Sequence, residues 1–149
     1  MRERTALKAL TRLAAVQRAQ RVGAEAALQA ARAAEREAEA REQAARRAAA
    51  AAGEDWRAYV GEPGFSPDYC RALSARLLDR EQEQSACAGR TAQAGERAGR
   101  REGDWQRLEA QVRTSERSVG RLKRKVAQRI EEGRLEEVAD RITQRWSRP

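Results

Sequence analysis

Histidine is absent from this 149-residue sequence, and cysteine, proline, methionine and aromatic residues are scarce. Without histidine there is no imidazole acid–base catalysis and no His-ligated zinc. Cys70 and Cys87 lie seventeen positions apart on what reads as one helix. At 1.5 Å per residue that is roughly 25 Å, too far for a disulfide or a shared tetrahedral metal site. Two free thiols suit a reducing compartment, and as small side chains they serve packing. No glycine-rich loop for cradling phosphate is present, and neighbouring carboxylates such as Glu131 and Glu132 sit on a polar face with no pocket to shift their titration. The expectation is a protein that is not an enzyme and that needs no cofactor and no metal.

Long apolar runs are also missing. No stretch approaches the roughly 20 apolar residues of a membrane span, and residues 1–13 are charged throughout rather than arranged as a signal peptide. The reading is cytoplasmic. Aromatic residues make up 4% and charged residues 36%, so a thick globular core is not expected. The nominal 40% hydrophobic content is mostly alanine, which suits helices that approach closely but buries little area per residue.

What is present in quantity is alanine, arginine and acid. The net charge is +8, and both signs are interspersed along the chain. That pattern is a solvated helical face laced with i,i+4 pairs before it is a nucleic-acid surface.

Helix is interrupted once. Between Val60 and Asp68, Pro63 and Pro67 remove backbone donors, while Gly61 and Gly64 permit positive φ. Ser66 reads as an N-cap, with Pro67 at the first helical position and Asp68 at the positive end of the dipole. The predicted organisation is a single all-α coiled-coil domain over residues 1–149. It has a helix over about 3–59, a short Gly/Pro tip over 60–66, and a helix over about 67–146, folded as a long antiparallel two-helix hairpin.

A heptad frame runs through both helices. In the first, one column holds Leu10, Gln17, Ala24, Ala31, Ala38, Ala45 and Ala52. Its expected companion column holds Ala6, Leu13, Gln20, Ala27, Ala34, Arg41 and Ala48. In the second, the columns run from Cys70 to Val126 and from Leu73 to Leu122, with a weaker, glycine-bearing middle from Gln84 to Gly103. Pairing positions whose numbers add to 132 sets Leu10 against Leu122, Leu13 against Val119, Gln17 against Ser115 and Ala45 against Cys87. In that register the residues after about Glu132 overhang, and Leu135, Val138, Ile142 and Trp146 make one apolar helix face without an intrachain partner. Lys123, Arg124, Lys125, Arg129, Arg134, Arg141 and Arg145 are expected to surround it with positive charge. The candidate partner-binding residues are therefore Leu135, Val138, Ile142, Trp146, Arg124, Arg129 and Arg141.

Three features carry a family resemblance. They are Leu7-x-x-Leu10-x-x-Leu13 opening an Ala/Arg-rich helix, the pair Trp56 and Tyr59 before the tip, and Trp105 and Leu108 ahead of the basic stretch from Arg121 to Arg129. With these the chain resembles the FliJ/YscO family, the small coiled-coil central-stalk proteins of flagellar and type III secretion export ATPases. The resemblance implies a noncatalytic protein that inserts its paired helix termini into a hexameric export ATPase and links it to an export-gate protein or chaperones. It also implies a cytoplasmic location peripheral to the inner membrane. The alternative reading is a coiled-coil secretion chaperone or adaptor, and after it a basic nucleic-acid-binding coiled coil.

Overall fold

The computed structural model describes residues 2–146. Met1 and residues 147–149, which the single-domain expectation includes, lie outside the described residues. Two helices, α1 (Arg2–Val60) and α2 (Pro67–Trp146), are the regular elements among the described residues. They pack against each other as an all-α helical hairpin. The chain divides into two compact units. Unit 1 pairs the start of α1, up to Ala24, with α2 from Trp105 onward; unit 2 spans Glu25–Asp104 and contains the tip.

The tip has the chemistry expected of it. α1 ends with Gly61 N–H donating to the carbonyls of Arg57 and Ala58, and Gly64 takes a φ of 132°, a conformation open to glycine at little cost. The Ser66 hydroxyl accepts from the Tyr69 N–H at 3.5 Å, and the Cys70 N–H donates to the Ser66 carbonyl at 2.9 Å, starting α2. Tyr59 braces the turn. Its hydroxyl accepts from the Ser66 N–H at 2.7 Å, its ring stacks on Phe65 at 6.4 Å, and it meets Tyr69 edge-on at 4.6 Å.

In unit 2 the buried side chains are small: Ala45, Ala49, Ala52, Ala94, Ala98 and Cys87, with Leu28 and Leu73. Alanine at the seam brings the backbones close, and a Cβ placed on Gly95 would stand 3.1 Å from the Glu35 carboxylate. Trp56 donates its indole N–H to the Ser74 hydroxyl at 2.9 Å, Arg76 meets Asp55 at 3.7 Å, and Arg32 meets Glu102 at 3.2 Å. Cys70 and Cys87 are both free.

Unit 1 uses the expected register. The Ser115 hydroxyl donates to the Gln17 amide oxygen, and Arg129 bonds Glu3 at 2.9 Å. Each pair has residue numbers adding to 132, so Leu10 and Leu122, both half-buried, fall at the same level between them.

One column of α1 differs from expectation. Leu10, Gln17, Ala24, Ala31, Ala38, Ala45 and Ala52 are inward as expected, but their companions are Leu7, Ala14, Arg21, Leu28, Glu35, Glu42, Ala49 and Trp56. Ala6, Leu13, Gln20, Ala34 and Arg41 are exposed. The seam is rotated by about half its width, and Leu13 does not face Val119. The reason is that α1 carries alanine on both flanks of the seam, so apolar periodicity draws either frame equally well. What decides is the polar residues. Arg21 takes a seam position because its long side chain carries the guanidinium out to Glu109 while its methylenes stay in the interface.

Between Gln84 and Gly103, α2 is continuous helix. Gly89 and Gly99 face open space. Each weakens the helix by about 1 kcal/mol relative to alanine. Gly89→Ala and Gly99→Ala should each raise unfolding free energy by about 0.5–1 kcal/mol in urea titrations followed by circular dichroism. A fall in stability for both variants would contradict a solvent-facing helical position.

Candidate docking surface in unit 1

The lateral edge of unit 1 on one side is closed by ion pairs. Arg21 bonds Glu109 at 3.0 Å, and Arg18 meets Glu116 at 3.5 Å. Glu109 also accepts from the Arg113 guanidinium at 3.1 Å. The hydrogen bond from Arg21 holds the Glu109 carboxyl below its ordinary range; partial burial opposes this, and Arg113 adds to the lowering. Inside the seam Ala14 is 1% exposed and Val112 is buried. The buried indole N–H of Trp105 has no acceptor among the described residues.

α2 runs on past its pairing with α1. The last half-buried positions are Val126 and Gly133, and every residue from Arg134 to Trp146 is exposed. Leu135, Val138 and Ile142 are more than half exposed and Trp146 is 87% exposed. A shallow depression among Val138, Arg141, Ile142 and Arg145 lies on this stripe.

Two features of the overhang differ from the sequence reading. First, the stripe does not continue the seam. The inward columns of α2, carried on by heptads from Val126 and Arg129, pass through Gly133, Glu136, Asp140 and Thr143. The apolar stripe is turned away from them by well over a quarter of a turn at 100° per residue. Second, its charge is mixed. Between 131 and 140 stand Glu131, Glu132, Glu136, Glu137 and Asp140 against Arg134 alone. Arg134 and Arg141 border one edge of the stripe, and acid borders the other.

Of the candidate cations, Arg124 is exposed beside Arg117, Gly120 and Arg121, in the same helical column as Val138. Arg141 lies at the stripe itself. Arg129 is taken up by Glu3 and belongs to the hairpin rather than to a free surface. Sequence reasoning passed over a second exposed stripe, on α1, where Ala6, Ala9, Leu13 and Val16 stand exposed at helical spacing. Its signal was the doubled apolar pattern that also misplaced the seam.

Among the described residues no cluster of three His, Cys, Asp or Glu side chains could hold a metal, and no helix is long and apolar enough to cross a membrane. Comparison with protein-family models, with characterised proteins and with solved structures finds no match.

The lowered titration of Glu109 gives a pH signature. A carboxyl that binds its proton less readily when folded contributes stability above the ordinary carboxylate range and loses it as pH falls through the lowered value. Glu109→Gln should therefore melt below the parent chain at pH 7, with the gap closing as pH falls below the ordinary carboxylate range and through the lowered value. Thermal melts by circular dichroism across this range measure it; a gap independent of pH would assign the loss to packing alone.

Proposed function

We propose that this chain is a noncatalytic stalk or regulatory subunit of a type III secretion or flagellar export ATPase. In this reading the paired helix ends of unit 1 enter the hexameric ring and the overhang of α2 supplies the apolar contact. The observation that carries it is the exposed stripe of Leu135, Val138, Ile142 and Trp146 on a helix that has outrun its partner. A stripe of this size exposed on a charged chain is surface for a partner. The exposed cations Arg117, Arg121 and Arg124, farther back along α2, steer an acidic ring toward this end of the hairpin. The helical and family-like features of Trp56, Tyr59, Trp105 and Leu108 support the same reading. It places the protein in the cytoplasm, peripheral to the inner membrane, with an export-gate protein or chaperones as further partners.

The test is direct. Val138→Asp and Ile142→Asp should leave helicity and melting temperature nearly unchanged in dilute solution, because neither side chain is buried in the hairpin. Both should abolish binding to the export ATPase and stimulation of its hydrolysis. Phe65→Asp, at the tip, should spare both activities. Full stimulation by Ile142→Asp would place the contact elsewhere.

A further inference from the structure

The two exposed stripes of unit 1 match each other. On α1, Ala6, Ala9 and Leu13 follow one another at intervals of three and four residues; on the overhang, Leu135, Val138 and Ile142 do the same. Val16 extends the first stripe and Trp146 the second. Each spans about three helical turns, roughly 15 Å. The small side chains of Ala6 and Ala9 leave room for a second helix to come close, while Leu13 and Val16, both about half exposed, supply area to bury.

Their charges are complementary as well. Between Glu3 and Glu25, α1 contains no acid and carries Arg4, Lys8, Arg12, Arg18 and Arg21. Arg18 and Arg21 are engaged with α2 along the other edge. Arg4, Lys8 and Arg12 are exposed and make no ion pair among the described residues. Across the overhang, Glu132, Glu136, Glu137 and Asp140 are likewise exposed and make none. Within one chain the two blocks approach only at their near ends, where Arg4 and Glu137 line one shallow depression with Glu3 and Arg129, and the register that joins Glu3 to Arg129 carries the residues after Glu137 farther from Lys8 and Arg12.

The overhang is thus an amphipathic helix, acidic over residues 131–140, whose apolar stripe is exposed and unpartnered among the described residues. Past Glu3, the start of α1 is an apolar stripe among basic residues, Arg4, Lys8 and Arg12. We propose that two copies of this chain associate, the Leu135, Val138 and Ile142 stripe of one seating on the Ala9, Leu13 and Val16 stripe of the other. Pairing one overhang with another is disfavoured by comparison, because Arg134 and Arg141 on the stripe's edge meet their own copies when two such helices pack antiparallel. The association goes beyond the export-ATPase reading and does not depend on it. Where that reading holds, self-association and ring docking compete for the same overhang.

Sedimentation equilibrium on the purified full chain, with no other protein present, tests the proposal. The parent chain should associate reversibly. Leu13→Asp removes the receiving stripe and Ile142→Asp removes the docking stripe, so each variant alone should associate more than about tenfold more weakly. Mixed together, the two variants should recover a one-to-one complex, since Leu13→Asp retains an intact overhang and Ile142→Asp an intact α1 stripe. Circular dichroism of both variants checks that they remain helical. Glu136→Gln/Glu137→Gln/Asp140→Asn should weaken association by several-fold at low salt and by less at high salt. A parent chain that stays monomeric at about 100 μM, or a mixture that shows no complex while the parent associates, would overturn the proposal.

Discussion

The structure depends on how much of α1 is alanine. A helix lined by methyl groups lets a second helix approach closely, and close approach recovers in dispersion what small side chains give up in transferable area. In both units the seam is built this way, around Ala14 in one and around Ala45, Ala49, Ala52, Ala94 and Ala98 in the other. Among the described residues no large side chain is fully buried. Such an interface is stabilised by length and continuity rather than by anchors, so polar contacts at its edges carry the register. Gln17 with Ser115 and Glu3 with Arg129 do this in unit 1. Trp56 with Ser74 does it in unit 2.

The same composition sets what is legible from the sequence. The tip was plain because its signals are steric and local. Pro63 and Pro67 forbid helix, Gly64 takes a positive φ, and Ser66 has the side chain an N-cap requires. The frame of α2 was plain because Leu73, Leu77, Leu108, Val112, Val119 and Leu122 contrast with their polar neighbours. The frame of α1 was not. With alanine at positions 27, 30, 31, 34 and 38, apolar character extends around much of the helix, and hydropathy alone does not orient it. The contrast that does orient it lies in Arg18, Arg21 and Arg32, which reach partners on α2 along one edge.

The candidate surface divides along the same line. That α2 outruns its partner followed from register, and the exposure of Leu135, Val138, Ile142 and Trp146 bears this out. The direction of the stripe did not follow, because the inward columns past Val126 carry Gly133, Glu136, Asp140 and Thr143, so the apolar period changes phase there. A phase change of this kind is itself informative. The shift of apolar residues to a new face begins where α2 leaves α1, past Gly133, and a continued pairing along the first face would not need it.

Charge makes the same distinction more sharply. Interspersed signs along most of the chain satisfy themselves locally, as Arg46 does with Glu42 and Arg100 with Glu96, and leave little field outside. Three stretches break that rule, the acid-free run of α1 between Glu3 and Glu25, the acid-free run of α2 from Arg117 to Ile130 and the acid-rich overhang, and they lie in the same unit. Exposed ion pairs contribute little to stability, so segregating charge costs the fold almost nothing. What segregation does alter is encounter: it gives unit 1 two basic segments and one acidic one, with an apolar stripe beside the start of α1 and another on the overhang, and orients an approaching helix before apolar contact begins. A surface with steering charge beside exposed leucine, valine and isoleucine has the two components that specific helix docking requires.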